Sequence, residues 1–434
     1  MQFNYKTIAA SLALMLAGTT ATVAFDENDT ATQALKTARM SENTVLLKQL
    51  LEQPQTNNAE AELSSVFLTS RSTKVSRSAE SLQRWIDRNP TAPANDRAFA
   101  FQQLGDRYMA MTQYRQAAKA FRKAQSFEVL TDDPDLNDQA ILAEIAATVP
   151  PITRDGVAGA SVPLERDLAR LRRAPINITG ITSPMIIDTG AEISVVAQSV
   201  AEKSSMEFLD GEVTVGTTTD NVSGRLAVSN DVNIGGMVFR NVLFLVLPDD
   251  QLTFAEGQYF VDGIIGLPLF AKAGRMEWRD AATQLLLGAA VADNDGPRVP
   301  VFWHEGGVAL KVGYEQTALP AFFDSGASRS SGSPAFKELL PAQVESTLIA
   351  EDGTITGVGG THTVKNYILP QGALVIGGTI IPITDFKIAG EQREYPAGDI
   401  GIIGMDIVAR TRSFSVDFDT MAYQLELTAT TDQK

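Results

Sequence analysis

The sequence predicts a multidomain α and β chain: an N-terminal α-helical repeat domain followed by an all-β region made of two copies of one unit. Three observations carry this expectation. Apolar residues recur at helical spacing between residues 30 and 148. Met185-Ile186-Ile187-Asp188-Thr189-Gly190-Ala191 returns as Ala321-Phe322-Phe323-Asp324-Ser325-Gly326-Ala327. The landmarks around these two stretches also return in the same order and at a nearly constant period.

Residues 1–24 read as a secretory signal peptide. Lys6 is the only charge, Ile8 to Ala17 is a short apolar run, and Thr22-Val23-Ala24 offers small residues before a cleavage point. The expected location is periplasmic or secreted. A membrane span needs about 20 apolar residues, so no integral segment is expected in the mature chain. The 434 residues contain no cysteine, which leaves no lipoprotein anchor through Cys and no disulfides.

Residues 25–148 form the expected helical domain. Leu46, Leu47, Leu50 and Leu51 follow helical spacing, as do Leu82, Trp85 and Ile86. Phe101, Leu104, Gly105 and Tyr108, then Tyr114, Ala117, Phe121 and Ala124, make a denser pattern that resembles a tetratricopeptide repeat, with Phe in place of the usual Trp. Gly105 and the two Ala let paired helices approach, and the upstream helices complete the small solenoid that one repeat cannot form alone. Such a domain suits a protein partner, or serves as a spacer or pro-region.

Residues 149–160, rich in Pro and Gly, read as a linker. Behind it Arg166-Asp167-Leu168-Ala169-Arg170-Leu171-Arg172-Arg173 is a basic run, either solvated charge flanking a strand or a cover for an acidic cleft. Charge divides unevenly: residues 1–160 balance to −2 and residues 161–434 to −14. A nucleic-acid partner demands basic patches, so this distribution argues against one.

The two β units are residues 161–289 and 297–434, joined through Ala292-Asp293-Asn294-Asp295-Gly296-Pro297. Val162-Pro163 and Val299-Pro300 open them. Asp188 and Asp324 each end an apolar strand. Ile234-Gly235-Gly236 and Ile376-Gly377-Gly378 read as hairpin turns. Ile264-Ile265-Gly266 follows Asp188 at nearly the separation at which Ile402-Ile403-Gly404 follows Asp324. With Met276-Glu277-Trp278-Arg279-Asp280 matched by Val416-Asp417-Phe418-Asp419, five landmarks in register mark an internal duplication.

This arrangement resembles the aspartic peptidases over about residues 161 to 434. In that family each lobe supplies one Asp-Thr/Ser-Gly loop and an apolar-apolar-Gly segment beneath it. Alanine after the Gly and the modest length of each unit are more similar to retroviral-type subunits than to the larger pepsin lobes. The resemblance implies a bilobal all-β aspartic-protease fold in which a monomer suffices for the dyad. It makes Asp188 and Asp324 catalytic, with Thr189 and Ser325 bracing the loops and Gly190 and Gly326 bringing backbone amides to the carboxylates. Hairpins a short way beyond each Asp, at Gly216 and Gly353, are candidate substrate flaps, though neither carries the flap Tyr of pepsin-like enzymes.

The residue inventory narrows the chemistry. Two His and no Cys exclude Cys–His catalysis and disfavour a multi-His zinc site, and no phosphate-cradling loop occurs, so neither a metal nor a cofactor is expected. His304 reads as structural or surface, and His362 as an ordinary loop residue. Two carboxylates about 3 Å apart cannot both ionise and share one proton, the pattern that activates water. The expectation is an exported aspartic endopeptidase acting on a polypeptide substrate. The alternative is a weak or inactive peptide-binding module of the cell envelope that uses the same cleft.

Overall fold

The computed structural model describes residues 27–53, 59–130, 133–156, 158–217, 219–289, 297–304, 306–315, 317–390 and 399–428. The signal-peptide stretch, residues 1–24, and most of the segment joining the two β units, residues 290–296, lie outside them. The described chain is helical up to residue 148 and β-rich afterwards.

The helices are α1 (Glu27–Met40), α2 (Thr44–Leu51), α3 (Ala59–Arg71), α4 (Val75–Arg88), α5 (Ala94–Ala110), α6 (Tyr114–Gln125) and α7 (Pro134–Ile145). Their starts follow local chemistry. Asn43 caps α2 by accepting from the Leu46 amide at 3.0 Å, and Asp133 caps α7 by accepting from Leu136 N at 3.0 Å, with Pro134 in the first turn. Leu47, Leu63, Phe67, Leu82 and Trp85 bury their side chains between successive helices. At Gly105 a Cβ would lie 2.3 Å from the Phe121 ring, so only glycine lets α5 and α6 approach this closely. One charge cluster sits inside this packing. Arg39, fully buried, donates to Glu60 at 2.8 and 2.7 Å and to Asp96 at 2.8 Å. Burial, then the Glu60 charge, pushes the Asp96 carboxyl up.

The β region forms one 11-stranded sheet within the first unit, a small ribbon, and one 13-stranded sheet that both units share. The two glycine pairs make matched tight turns. Gly235 and Gly236 have φ of 61° and 97°, and Gly377 and Gly378 have 60° and 79°. Two consecutive positive φ values are what a two-residue hairpin with the right twist needs, and glycine meets them without a Cβ penalty.

The shared sheet joins the units. Arg275–Arg279 pairs with Gln284–Leu287, Thr411–Asp417 pairs with Ala422–Leu427, and these two hairpins pair with each other with Trp278 opposite Phe414. Ala160–Pro163 extends the sheet at one side, and Val299–His304 at the other. Trp278 packs edge-on to Phe323 at 5.4 Å, and Phe323 lies 5.1 Å from Phe414. Complete burial of each such ring removes roughly 1.5–3 kcal/mol of exposed apolar surface cost, so this seam is a principal stabiliser of the junction.

Residues 149–160 do more than link. Thr153–Gly156 adds to the edge of the first sheet beside Met237–Arg240. All four residues are exposed, so no apolar alternation betrays the strand. The helical domain also grips the β region directly. Arg71 of α3 donates to the Trp303 carbonyl at 2.9 Å and to Nδ1 of buried His304, whose Nε2 lies 2.9 Å from Asp399. Thr112 Oγ1 accepts from the Ile152 amide at 2.8 Å.

Candidate active site

Each Asp arrives the same way. The strand Ile181–Ile187 pairs in parallel with Gly263–Ile265, Ile186 opposite Ile264, and Asp188 N donates to Ile265 O at 3.0 Å. In the second unit Thr317–Phe323 pairs in parallel with Gly401–Ile403, Phe322 opposite Ile402, and Asp324 N donates to Ile403 O at 3.0 Å. Each strand starts exposed and becomes buried toward its Asp, with Met185, Ile186 and Ile187 buried in the first and Ala321 and Phe323 in the second.

The glycine after each Ile-Ile pair is required by proximity. A Cβ on Gly266 would lie 2.6 Å from Ala191 O, and one on Gly404 would lie 2.7 Å from Ala327 O. These carbonyls accept from Leu267 N at 2.8 Å and Met405 N at 2.9 Å, so each strand is tied under its own loop.

The two loops then cross. Thr189 Oγ1 donates to Phe323 O at 2.9 Å and accepts from Ser325 N at 2.9 Å. Reciprocally, Ser325 Oγ donates to Ile187 O at 2.8 Å and accepts from Thr189 N at 3.0 Å. Both hydroxyls are fully buried. Each loop thereby supplies the hydrogen-bond partners the other needs.

This exchange brings Asp188 and Asp324 together at the floor of a cleft of about 2100 Å³. A Cβ on Gly190 would lie 2.8 Å from Asp324 Oδ1 and 3.2 Å from Asp188 Oδ1, and one on Gly326 would lie 2.3 Å from Asp188 Oδ2. Gly190 N donates to Asp188 Oδ1 at 2.7 Å, and Gly326 N donates to Asp324 Oδ1 at 2.7 Å. The carboxyls also share a hydrogen bond. Burial raises the Asp188 carboxyl above its ordinary range. Burial and then the neighbouring Asp188 charge hold Asp324 well above it. The two carboxyls therefore titrate as one coupled pair in which charging both is disfavoured.

Residues 174–269 match the family model for aspartyl proteases. The match supports an aspartyl protease domain in the first β unit and takes in Asp188, Thr189, Gly190 and Ile264-Ile265-Gly266. No curated protein matches the chain.

Around this domain the structure adds residues that the motif alone does not reveal. Ser194 Oγ accepts from Gly266 N at 3.1 Å, and Ser330 Oγ accepts from Gly404 N at 2.9 Å while donating to Asp406 at 2.6 Å. Both serines stand at the same offset from their Asp, a match visible in the sequence.

Two hairpins reach over the cleft. Glu207–Gly216 and Asn221–Ser229 form the first, so Gly216 stands at its tip. Ile349–Gly357 and Gly360–Ile376 form the second. Gly353 lies mid-strand there, opposite Val364, and the tip is Gly357–Gly360. The tips meet: Thr217 Oγ1 and Thr219 Oγ1 both donate to Val358 O, the latter at 2.9 Å. His362 lines the cleft from the second hairpin. Among the described residues no group of three or more His, Cys, Asp or Glu is arranged to hold a metal ion.

Proposed function

We propose that the chain is an exported aspartic endopeptidase with the bilobal retropepsin/pepsin-like arrangement. Its dyad, Asp188 and Asp324, forms within one chain. The observation that supports this is the reciprocal hydroxyl exchange of Thr189 and Ser325, which sets the two carboxyls side by side. The ionised member of the pair accepts a proton from water placed over the two carboxyls. The protonated member donates to the scissile carbonyl oxygen as its negative charge develops. Water attacks that carbon directly, and the departing nitrogen is protonated as the peptide bond breaks. The two hairpins close over an extended polypeptide and exclude bulk water. A monomer suffices, and neither metal nor cofactor takes part. Export rests on the charge-apolar-small order of residues 1–24. The helical domain, with its tetratricopeptide-like pattern, offers a place for a protein partner.

The test is cleavage of a diverse peptide pool read by mass spectrometry across pH 3 to 8. Wild type cuts internal bonds, with a bell-shaped pH profile. Asp188→Asn and Asp324→Asn each leave one carboxyl, which cannot both accept and donate, so each loses nearly all turnover and the double variant is little worse. Wild type that binds the peptides without cutting them identifies a binding module instead.

A further inference from the structure

The helical domain reaches the same cleft as the two Asp. Helix α7 packs along Glu207–Gly216, the first strand of the hairpin over Asp188. At one point the two interlock. Between Phe208 and Glu212 the pairing with the partner strand slips, and Gly211 adopts a φ of 109°. A Cβ there would lie 2.8 Å from Ile145 Cδ1 and 3.3 Å from its Cγ1, so the Ile145 side chain occupies the space that any other residue would fill. Asp138, Gln139 and Leu142, one and two turns before Ile145, line the cleft together with Val215 and Gly216 of that hairpin. This spacing places them on one helix face.

The second hairpin has no such anchor. Among the described residues, no helix of the N-terminal domain packs comparably on Ile349–Gly357 or Gly360–Ile376. The mid-strand glycine, Gly353, has its own hairpin's Asn366 beside it, at 2.7 Å from a would-be Cβ. The two hairpins share the tip contact, but only the first is also packed by α7, whereas the second is continued by the pairing of Asn366–Ile376 with Thr379–Ala389.

We propose that α7 is a third wall of the substrate cleft. Ile145 pins the first flap at the Gly211 bulge, exposed Gln139 faces the bound polypeptide beneath it with buried Leu142 packed behind, and opening falls to the second flap. Ile145 is then a positioning residue and Gln139 a specificity residue, both contributed by the helical domain. This rests on the peptidase reading, and its test has one arm that does not.

The absence of native cysteine allows clean paired spin labels on the full chain. One pair, Lys119→Cys with Asp220→Cys, measures α6 to the first flap. The other, Lys119→Cys with Thr361→Cys, measures α6 to the second. All three positions are exposed. The expected result is a narrow distance distribution for the first pair and a broad one for the second. Ile145→Ala broadens the first, and Ile145→Val largely restores it. Equal widths in wild type, or no change on Ile145→Ala, overturns the anchoring.

In the activity arm, Ile145→Ala raises KM by about five- to tenfold with kcat little changed, the signature of lost uniform binding. Gln139→Ala changes the order in which pool peptides are cut without changing the pH profile. An unaltered order and KM overturn the substrate-facing role. Wild type with no turnover at all counts against the peptidase reading, while the label distances still decide the anchoring.

Discussion

Replacing Thr189 with Val keeps the shape of a fully buried side chain and deletes its hydroxyl. Two groups of the opposite loop then lose a partner: Ser325 N, which donates to Thr189 Oγ1 at 2.9 Å, and Phe323 O, which accepts from it at 2.9 Å. A buried polar group left unsatisfied costs about 1–3 kcal/mol, so the pair costs roughly 2–5 kcal/mol, less whatever relaxation restores. Thr189→Ser sets the scale from the other side. It keeps both bonds and removes one methyl, worth about 1 kcal/mol. Urea unfolding followed by tryptophan fluorescence reads the difference, since Trp278 lies in the seam between the β units. Peptide turnover on the same variants reads the geometry. The Val variant loosens the loops and lowers kcat, though far less than Asp188→Asn, because both carboxyls remain. Val and Ser variants that unfold within about 0.5 kcal/mol of each other would refute the claim that the crossed hydroxyls carry the junction, because additive surface-like changes fall in that range.

Asp324→Asn removes a carboxyl whose folded-state pKa is raised, and a raised acid favours folding only while it is protonated. Wild type therefore loses that contribution as pH climbs from the ordinary carboxylate range through the folded value. The Asn variant should match wild type in thermal melts near pH 3 and exceed it near pH 8, by about 2–4 °C per kcal/mol gained. Arg39→Leu strands Glu60 and Asp96 without their buried cation and should cost about 3–5 kcal/mol at neutral pH, which thermal melts check. Gly266→Ala and Gly404→Ala each force a Cβ against a carbonyl at 2.6 and 2.7 Å, so each should cost about 1–3 kcal/mol and depress turnover to a similar degree. A large difference between them in melts or turnover would show that the two loops are not equivalently supported.

Much of the site is legible because the chain provides its own control. One Asp-Thr-Gly-Ala is weak evidence, but a second in step with Ile-Ile-Gly and Ile-Gly-Gly fixes which strands run beneath which loop. Ser194 and Ser330 carry the same signal at a shared offset, yet serine is so common in loops that position alone does not mark it. The second flap tip is harder for another reason. Asp352-Gly353 is a turn-forming dipeptide, but the long strand Gly360–Ile376 pairs straight through that point, so the turn falls at Gly357–Gly360 instead. Register across a sheet outweighs local turn preference. The polar strand Thr153–Gly156 shows no alternation because it only extends an edge. What joins the helical domain to the rest, Arg71 to His304 across 233 positions and Ile145 to Gly211, follows no periodicity and has no local trace.

The seam strand Arg275–Arg279 finds its partner, Thr411–Asp417, 136 positions further along. Until that partner has left the ribosome, the first unit has one hairpin with an open edge and Asp188 has no counterpart. A chain arrested part-way thus leaves the Thr189 hydroxyl without Phe323 O and Ser325 N, the two groups it bonds in the finished fold. The crossed loops therefore form late, in a single closing of the sheet after most of the chain has been made.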